Sequence, residues 1–213
     1  MLYDCRTVAD RDRGVEAAID AVKRGDLIVM PTDTLYGIGA DAFKPWAVTA
    51  LLDAKGRRNP PPVLVGSRAT LDGLVFNLPT PGRDLVEAFW PGALTIVVEH
   101  APSLQWELGN DDGTVAVRMP LHPVALEILR ETGPMAVSSA NKTGQPPANT
   151  AEEARGQLGF TVSVYLETGE LPDRTPSSIV DVTGEVPRLL RAGAIPLEKL
   201  RDVVPSILGP EDG

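Results

Sequence analysis

The chain has 213 residues, 43% of them apolar and 23% charged, which suits a single folded unit that buries a proper core without staples. Its formal charge of −9 excludes the broad basic face on which sequence-independent nucleic-acid binding depends, and its lone cysteine, Cys5, excludes an internal disulfide. The two histidines, His100 and His122, lack metal-ligand company, and no stretch has the length of a membrane span or the plan of a signal peptide, so no metal site, no membrane and a cytoplasmic location are expected.

In chain order, Val15, Ala18, Ile19 and Val22 recur at helical spacing and stop at Gly25, which predicts a helix over 13–24 followed by a strand over 27–30. Pro45 opens a second predicted helix that runs to Ala54 and carries Lys55-Gly56-Arg57 at its end. Short β-rich runs predict strands at 63–65, 94–98, 114–118, 135–138, 162–166, 178–182 and 186–190. Helices are predicted near 71–74, 84–89, 123–131, 151–158 and 196–203. Strands and helices intermingle without a strict βαβ alternation. The expectation is therefore one α/β domain over 1–213, core about 13–204: a twisted mixed sheet with flanking helices. The Gln145-to-Thr150 segment reads as a loop rather than a domain boundary.

Gly37-Ile38-Gly39-Ala40-Asp41-Ala42 fits the dinucleotide fingerprint G-x-G-x-x-G/A, but the register is wrong. That fingerprint ends a strand and opens directly into a helix, whereas Pro31-Thr32-Asp33-Thr34 intervenes before the first glycine and Pro45 follows three residues after Ala42. Phosphate loops, zinc-protease motifs and nucleophile elbows are absent. What remains is a set of hydroxyls and cations at predicted strand and helix ends: Thr32, Thr34, Lys55, Arg57, Arg118, Ser138, Ser139, Asn141, Ser177, Ser178 and Arg191. Singly these are turn formers, caps or solvated charges. Jointly, at one edge of an open α/β sheet, they suit an anion with a polar body, such as a nucleotide or an organic phosphate.

At these residues the sequence resembles the YrdC/TsaC family, the L-threonylcarbamoyladenylate synthases. Seven ordered blocks carry the resemblance: PTDTLYGIGADAF, Lys55-Gly56-Arg57, WPGALTIVV, TVAVRMPLHPVA, Ser139-Ala140-Asn141, SSIVDV and LLRAGAI. The resemblance implies a YrdC-like sheet around a deep concave cleft. It also implies a nucleotidyl transfer in which L-threonine, bicarbonate or CO2, and ATP give threonylcarbamoyl-AMP and pyrophosphate. Other proteins, threonylcarbamoyl transferases, then use this product to modify tRNA. Carried over, Lys55 and Arg57 are the catalytic pair that holds the phosphates. Thr114, Ser139 and Arg191 contact the nucleotide, and Asn141 shapes its loop. Thr32, Thr34, Arg118 and Ser177 bind threonine, with Arg118 suited to a bidentate carboxylate contact. Mg2+ arrives on the ATP. In this reading the glycines after PTDT turn the backbone tightly into the fold, Asp33 stabilises that turn rather than acting as a base, and Lys55→Ala or Arg57→Ala costs activity far more than stability.

The chain departs from the family pattern in three places: Arg58 to Pro62 in the phosphate loop, Gly66 where a threonine-binding histidine is frequent, and Pro146-Pro147-Ala148-Asn149 where P-S-P-T is frequent. Without the extra C-terminal domain of longer synthases, any lid is expected from the chain's own loops or termini. The alternative reading is a non-catalytic RNA-binding module of the same fold, against which the acidic charge counts.

Overall fold

The computed structural model describes residues 1–56, 59–104, 106–109, 112–172 and 174–210. Ten strands form one mixed sheet. In chain order they are β1 (Leu2–Asp4), β2 (Ile28–Met30), β3 (Gly37–Asp41), β4 (Val63–Leu64), β5 (Leu94–Glu99), β6 (Thr114–Arg118), β7 (Met135–Ser139), β8 (Val164–Glu167), β9 (Ser178–Asp181) and β10 (Arg188–Arg191). Their order across the sheet is β1-β8-β2-β3-β7-β4-β6-β5-β9-β10. The helices are α1 (Val8–Arg24), α2 (Pro45–Lys55), α3 (Arg68–Leu74), α4 (Thr80–Phe89), α5 (Pro123–Thr132), α6 (Ala151–Leu158) and α7 (Leu197–Val203).

The central strands are apolar on both faces, as a sheet covered on both sides requires. Ile28, Met30, Met135, Val137, Val164 and Leu166 enter one core with Val15, Ala18 and Val22 of α1 and Val124, Ile128 and Leu129 of α5. The alternate residues Val29, Ala136 and Tyr165 enter the opposite core with Val48 and Leu51 of α2. Thr7 caps α1 by accepting from the Asp10 amide, which places the helix start ahead of the predicted residue 13.

Two strands escaped the sequence pattern. β1 is three residues long and pairs in parallel with β8. β3 is built on the glycine pair itself, so the expectation that these glycines form a tight turn is corrected. Gly37 and Gly39 pair with Ser139 and Val137 of β7, and neither has a positive φ. Their role is close approach: an added Cβ would meet Val137 Cγ1 at 2.6 Å from Gly37 and Met135 Cε at 2.9 Å from Gly39.

Candidate functional site

Thr32 and Thr34 sit on the connection between β2 and β3, Arg118 ends β6, Ser139 ends β7, Ser177 precedes β9 and Arg191 ends β10. All six line one cavity of about 270 Å3. Six side chains from five separate parts of the sequence are therefore brought together by the order of the strands.

The Thr32 hydroxyl donates to Leu35 O at 2.6 Å and accepts from the Thr34 and Leu35 amides, which closes the PTDT turn. Thr34 Oγ1 accepts from Arg118 Nη1 at 2.8 Å. Arg118 also donates from Nε to Gly92 O at 2.9 Å and from Nη2 to Asp33 Oδ1 at 2.6 Å. Burial lowers the pKa of this guanidinium, opposed by the Asp33 charge. Asp33 Oδ1 further accepts from the Leu121 amide at 2.8 Å. Asp33 is thus the counterion of Arg118 and a tether for the segment after β6, not a stabiliser of its own turn. Arg118, expected as a clean fork for a carboxylate, has three of its five N–H groups engaged with protein acceptors.

Arg191 owes its placement to a bulge. Leu189 pairs with Val180 and Arg191 with Ile179, leaving Leu190 as the extra residue of β10. The bulge re-aims the strand end. Arg191 then donates from Nε and Nη2 to Ser177 O at 2.9 and 2.7 Å, and from Nη2 to Ser177 Oγ at 3.0 Å. Partial burial lowers its pKa, and no ion pair to it is formed among the described residues. Since Asp33 offsets Arg118, the net positive charge at this cavity wall rests on Arg191.

Three predicted site residues lie elsewhere. Lys55, 3% exposed at the end of α2, does not line the cavity. Its ammonium donates to Ser139 O and Asn141 O, both at 2.5 Å, and approaches Ser139 Oγ at 3.2 Å and Asn141 Oδ1 at 3.1 Å. It braces the loop after β7 from beneath. Asn141 completes that loop, donating from Nδ2 to Lys142 O and Gln145 O at 2.9 and 2.8 Å, which is the loop-shaping geometry anticipated for it. Thr114 begins β6, at the opposite end of the strand from Arg118, bonds Asp112 Oδ1 at 2.8 Å and faces a separate cavity of about 150 Å3 beside Pro60 and Pro61. Arg57 lies outside the described residues.

Thr95 and Pro147 also line the main cavity and were not among the candidate site residues read from the sequence. Thr95 lies within the run Leu94-Thr95-Ile96-Val97-Val98, where a threonine is an ordinary β-former and nothing distinguishes it. Pro147 shows that the loop departing from P-S-P-T still reaches the site and presents an apolar wall there.

Gly66 has a steric reason to be glycine: an added Cβ would lie 2.8 Å from both Arg130 N and Leu129 C of the α5 backbone. Restoring the frequent histidine by Gly66→His is expected to lower the melting temperature, at a cost of about 1–3 kcal/mol for overpacking, without tightening threonine binding. A thermal melt and a threonine titration of this variant check both halves of that statement.

The Sua5_yciO_yrdC family model, described as "Telomere recombination", matches residues 20–193. A Mycobacterium tuberculosis protein named "Putative threonylcarbamoyl-AMP synthase" is 56% identical over 204 residues, covering 95% of this chain and 94% of that one. The threonylcarbamoyl-AMP synthase of Pyrococcus abyssi is 33% identical over 196 residues, 91% of this chain and 58% of that one. The crystal structure of P. abyssi Sua5 complexed with L-threonine superposes with a TM-score of 0.91 at 31% identity, over 98% of this chain. This chain spans 62% of that longer protein. The E. coli YciO structure, with a TM-score of 0.84 at 20% identity, shares the fold. The chain belongs to the Sua5/YciO/YrdC family.

Proposed function

We propose that this protein is an L-threonylcarbamoyladenylate synthase, an enzyme forming threonylcarbamoyl-AMP and pyrophosphate from L-threonine, bicarbonate or CO2, and ATP. The observation that carries the reading is the convergence of Thr32, Thr34, Arg118, Ser139, Ser177 and Arg191 on one cavity. The names of its relatives, including the L-threonine complex of P. abyssi Sua5, support the same reading.

The proposed chemistry needs little from the protein beyond alignment. The threonine amine takes up CO2 as a carbamate and gives up one proton to solvent, a carbamate oxygen attacks the α-phosphorus of ATP, and the bond from that phosphorus to the α,β-bridging oxygen breaks, releasing the β- and γ-phosphates as pyrophosphate. Nucleophile and leaving group are both intrinsically competent, so rate comes from positioning and from fixed positive charge beside the reacting phosphate. Arg118, Thr32, Thr34 and Ser177 hold the amino acid in this scheme. Arg191 and Ser139 face the nucleotide, Arg57 adds phosphate contact, and Lys55 with Asn141 fixes the Ser139 loop. In this reading Mg2+ arrives on the triphosphate and keeps several of its waters. Transferase proteins that pass the unstable adenylate on to tRNA are the proposed downstream partners, with the cytoplasm as the setting. No helix among the described residues is long and apolar enough to cross a membrane. The RNA-binding alternative is not favoured, given the −9 charge and the synthase relatives.

Incubation of the protein with ATP, Mg2+, bicarbonate and L-threonine is expected to release pyrophosphate only when threonine is present. Salt-sensitive tRNA binding without any threonine-dependent release would overturn the assignment in favour of the binding module.

A further inference from the structure

We propose that Thr95 contacts the substrate directly, as the last member of a hydrogen-bond chain that runs from Arg191 through Ser177 and donates one hydroxyl hydrogen bond to a carboxylate-type oxygen of the bound ligand. This rests on the synthase reading above and adds to it a residue within the amino-acid end of the cavity.

The argument is an accounting of protons. Thr95 is 2% exposed and Ser177 is 5% exposed, yet both line the cavity. Their hydroxyl oxygens are 2.8 Å apart, and Ser177 Oγ is also 3.0 Å from Arg191 Nη2. A guanidinium only donates, so Ser177 Oγ accepts from Arg191. The pair owns two hydroxyl protons, and the contact between them consumes one. The other has no acceptor among the hydrogen bonds these two side chains form with described residues. Buried hydroxyl donors are seldom left without an acceptor, and both residues line the cavity, from which an acceptor can arrive.

Which oxygen carries the spare proton follows from the acceptors. If Thr95 donates to Ser177, the Thr95 oxygen receives nothing while Ser177 Oγ receives two bonds. If Ser177 donates to Thr95, each oxygen receives one bond and gives one, and the charge on Arg191 polarises the whole chain in the same sense. The second arrangement satisfies more groups, so the outward proton belongs to Thr95. As a β-branched residue on β5, Thr95 has a stiff χ1, which fixes the direction of that donor. A donor backed by a cation selects an anionic oxygen. The α-carboxylate of threonine and the carbamate made from its amine share this chemistry, and the experiment separates them.

Thr95→Val removes the hydroxyl at nearly constant shape, Thr95→Ser retains it, and the melting temperature of each reports the fold. Calorimetric titration with L-threonine alone is the first arm. A loss of affinity of about 10-fold in Thr95→Val, with Thr95→Ser close to the parent, assigns the contact to the α-carboxylate. The second arm follows pyrophosphate release against bicarbonate concentration. Unchanged threonine binding with a bicarbonate KM raised about 10-fold assigns the contact to the carbamate. Parent-like values in both arms for a folded Thr95→Val overturn the proposal. A parent protein that neither binds threonine nor releases pyrophosphate overturns the synthase reading itself, and this proposal with it, a result distinct from one in which only the variants are unaffected.

Discussion

Lys55→Met is expected to abolish threonine-dependent pyrophosphate release and to destabilise the protein at the same time. Inspection of the K-x-R motif suggests a phosphate ligand whose loss spares the fold. The ammonium instead lies 3% exposed beneath the loop after β7, with the carbonyls of Ser139 and Asn141 at 2.5 Å and their side-chain oxygens within 3.2 Å. A methionine fills the volume but supplies no donor, so a buried and a partly buried carbonyl lose a charged partner. Charge-assisted bonds of this kind contribute about 1.5–3 kcal/mol each before relaxation, and a net loss of about 3 kcal/mol is a reasonable centre for the pair. For a domain of this size that corresponds to about 6–12 °C in melting temperature. Activity falls further than the folded fraction does, because Ser139, which the same ammonium holds, lines the cavity. Differential scanning calorimetry alongside the pyrophosphate assay checks the two effects separately. An unchanged melting temperature would show that the ammonium does not brace the loop.

The same residue shows what a sequence does and does not reveal. Elements whose apolar residues recur at helical spacing or form short β-rich runs were legible: α1, α5, β5 and β6 all form where those patterns place them. β3 was not, because its sequence Gly-Ile-Gly-Ala-Asp lacks the bulky β-formers and uses glycine for close approach to Val137 and Met135, a demand set by another strand. Site residues were legible as strand-end hydroxyls and cations, and seven of the eleven named, Ser138 among them, line one cavity. What the sequence could not separate was contact from support. Lys55 and Arg118 are both basic residues at element ends, yet one points under a loop and the other lines the cavity; the difference arises from the order of the strands, with β7 between β3 and β4. Thr95 was hidden for the opposite reason, being a threonine where any β-branched residue would satisfy the strand.

Asp33 provides the second large effect. Its carboxylate is 16% exposed, lies 2.6 Å from Arg118 Nη2 and takes the Leu121 amide at 2.8 Å. Arg118 is 7% exposed at the side chain, so Asp33→Ala leaves a buried guanidinium with no counter-charge. Breaking one side of such a pair costs about 3–5 kcal/mol, which makes this one of the most damaging single changes available beside the cavity. Asp33→Asn separates a counterion from a general base. The amide oxygen still accepts from Arg118 or Leu121, but the charge is gone and the guanidinium is held less firmly against Thr34. As counterion and positioning group, Asp33 is needed for where Arg118 stands, so Asp33→Asn is expected to lower stability by about 1–3 kcal/mol and to raise the KM for threonine about 10-fold. Most of the turnover rate at saturating threonine should survive. A general base behaves otherwise: its amide variant keeps the KM and loses rate by about 100-fold or more. Steady-state kinetics of Asp33→Asn over a range of threonine concentrations therefore decide between a residue that takes a proton and one that holds Arg118 in place. The bonds formed by its oxygen, to a buried guanidinium and a backbone amide, place it with the second.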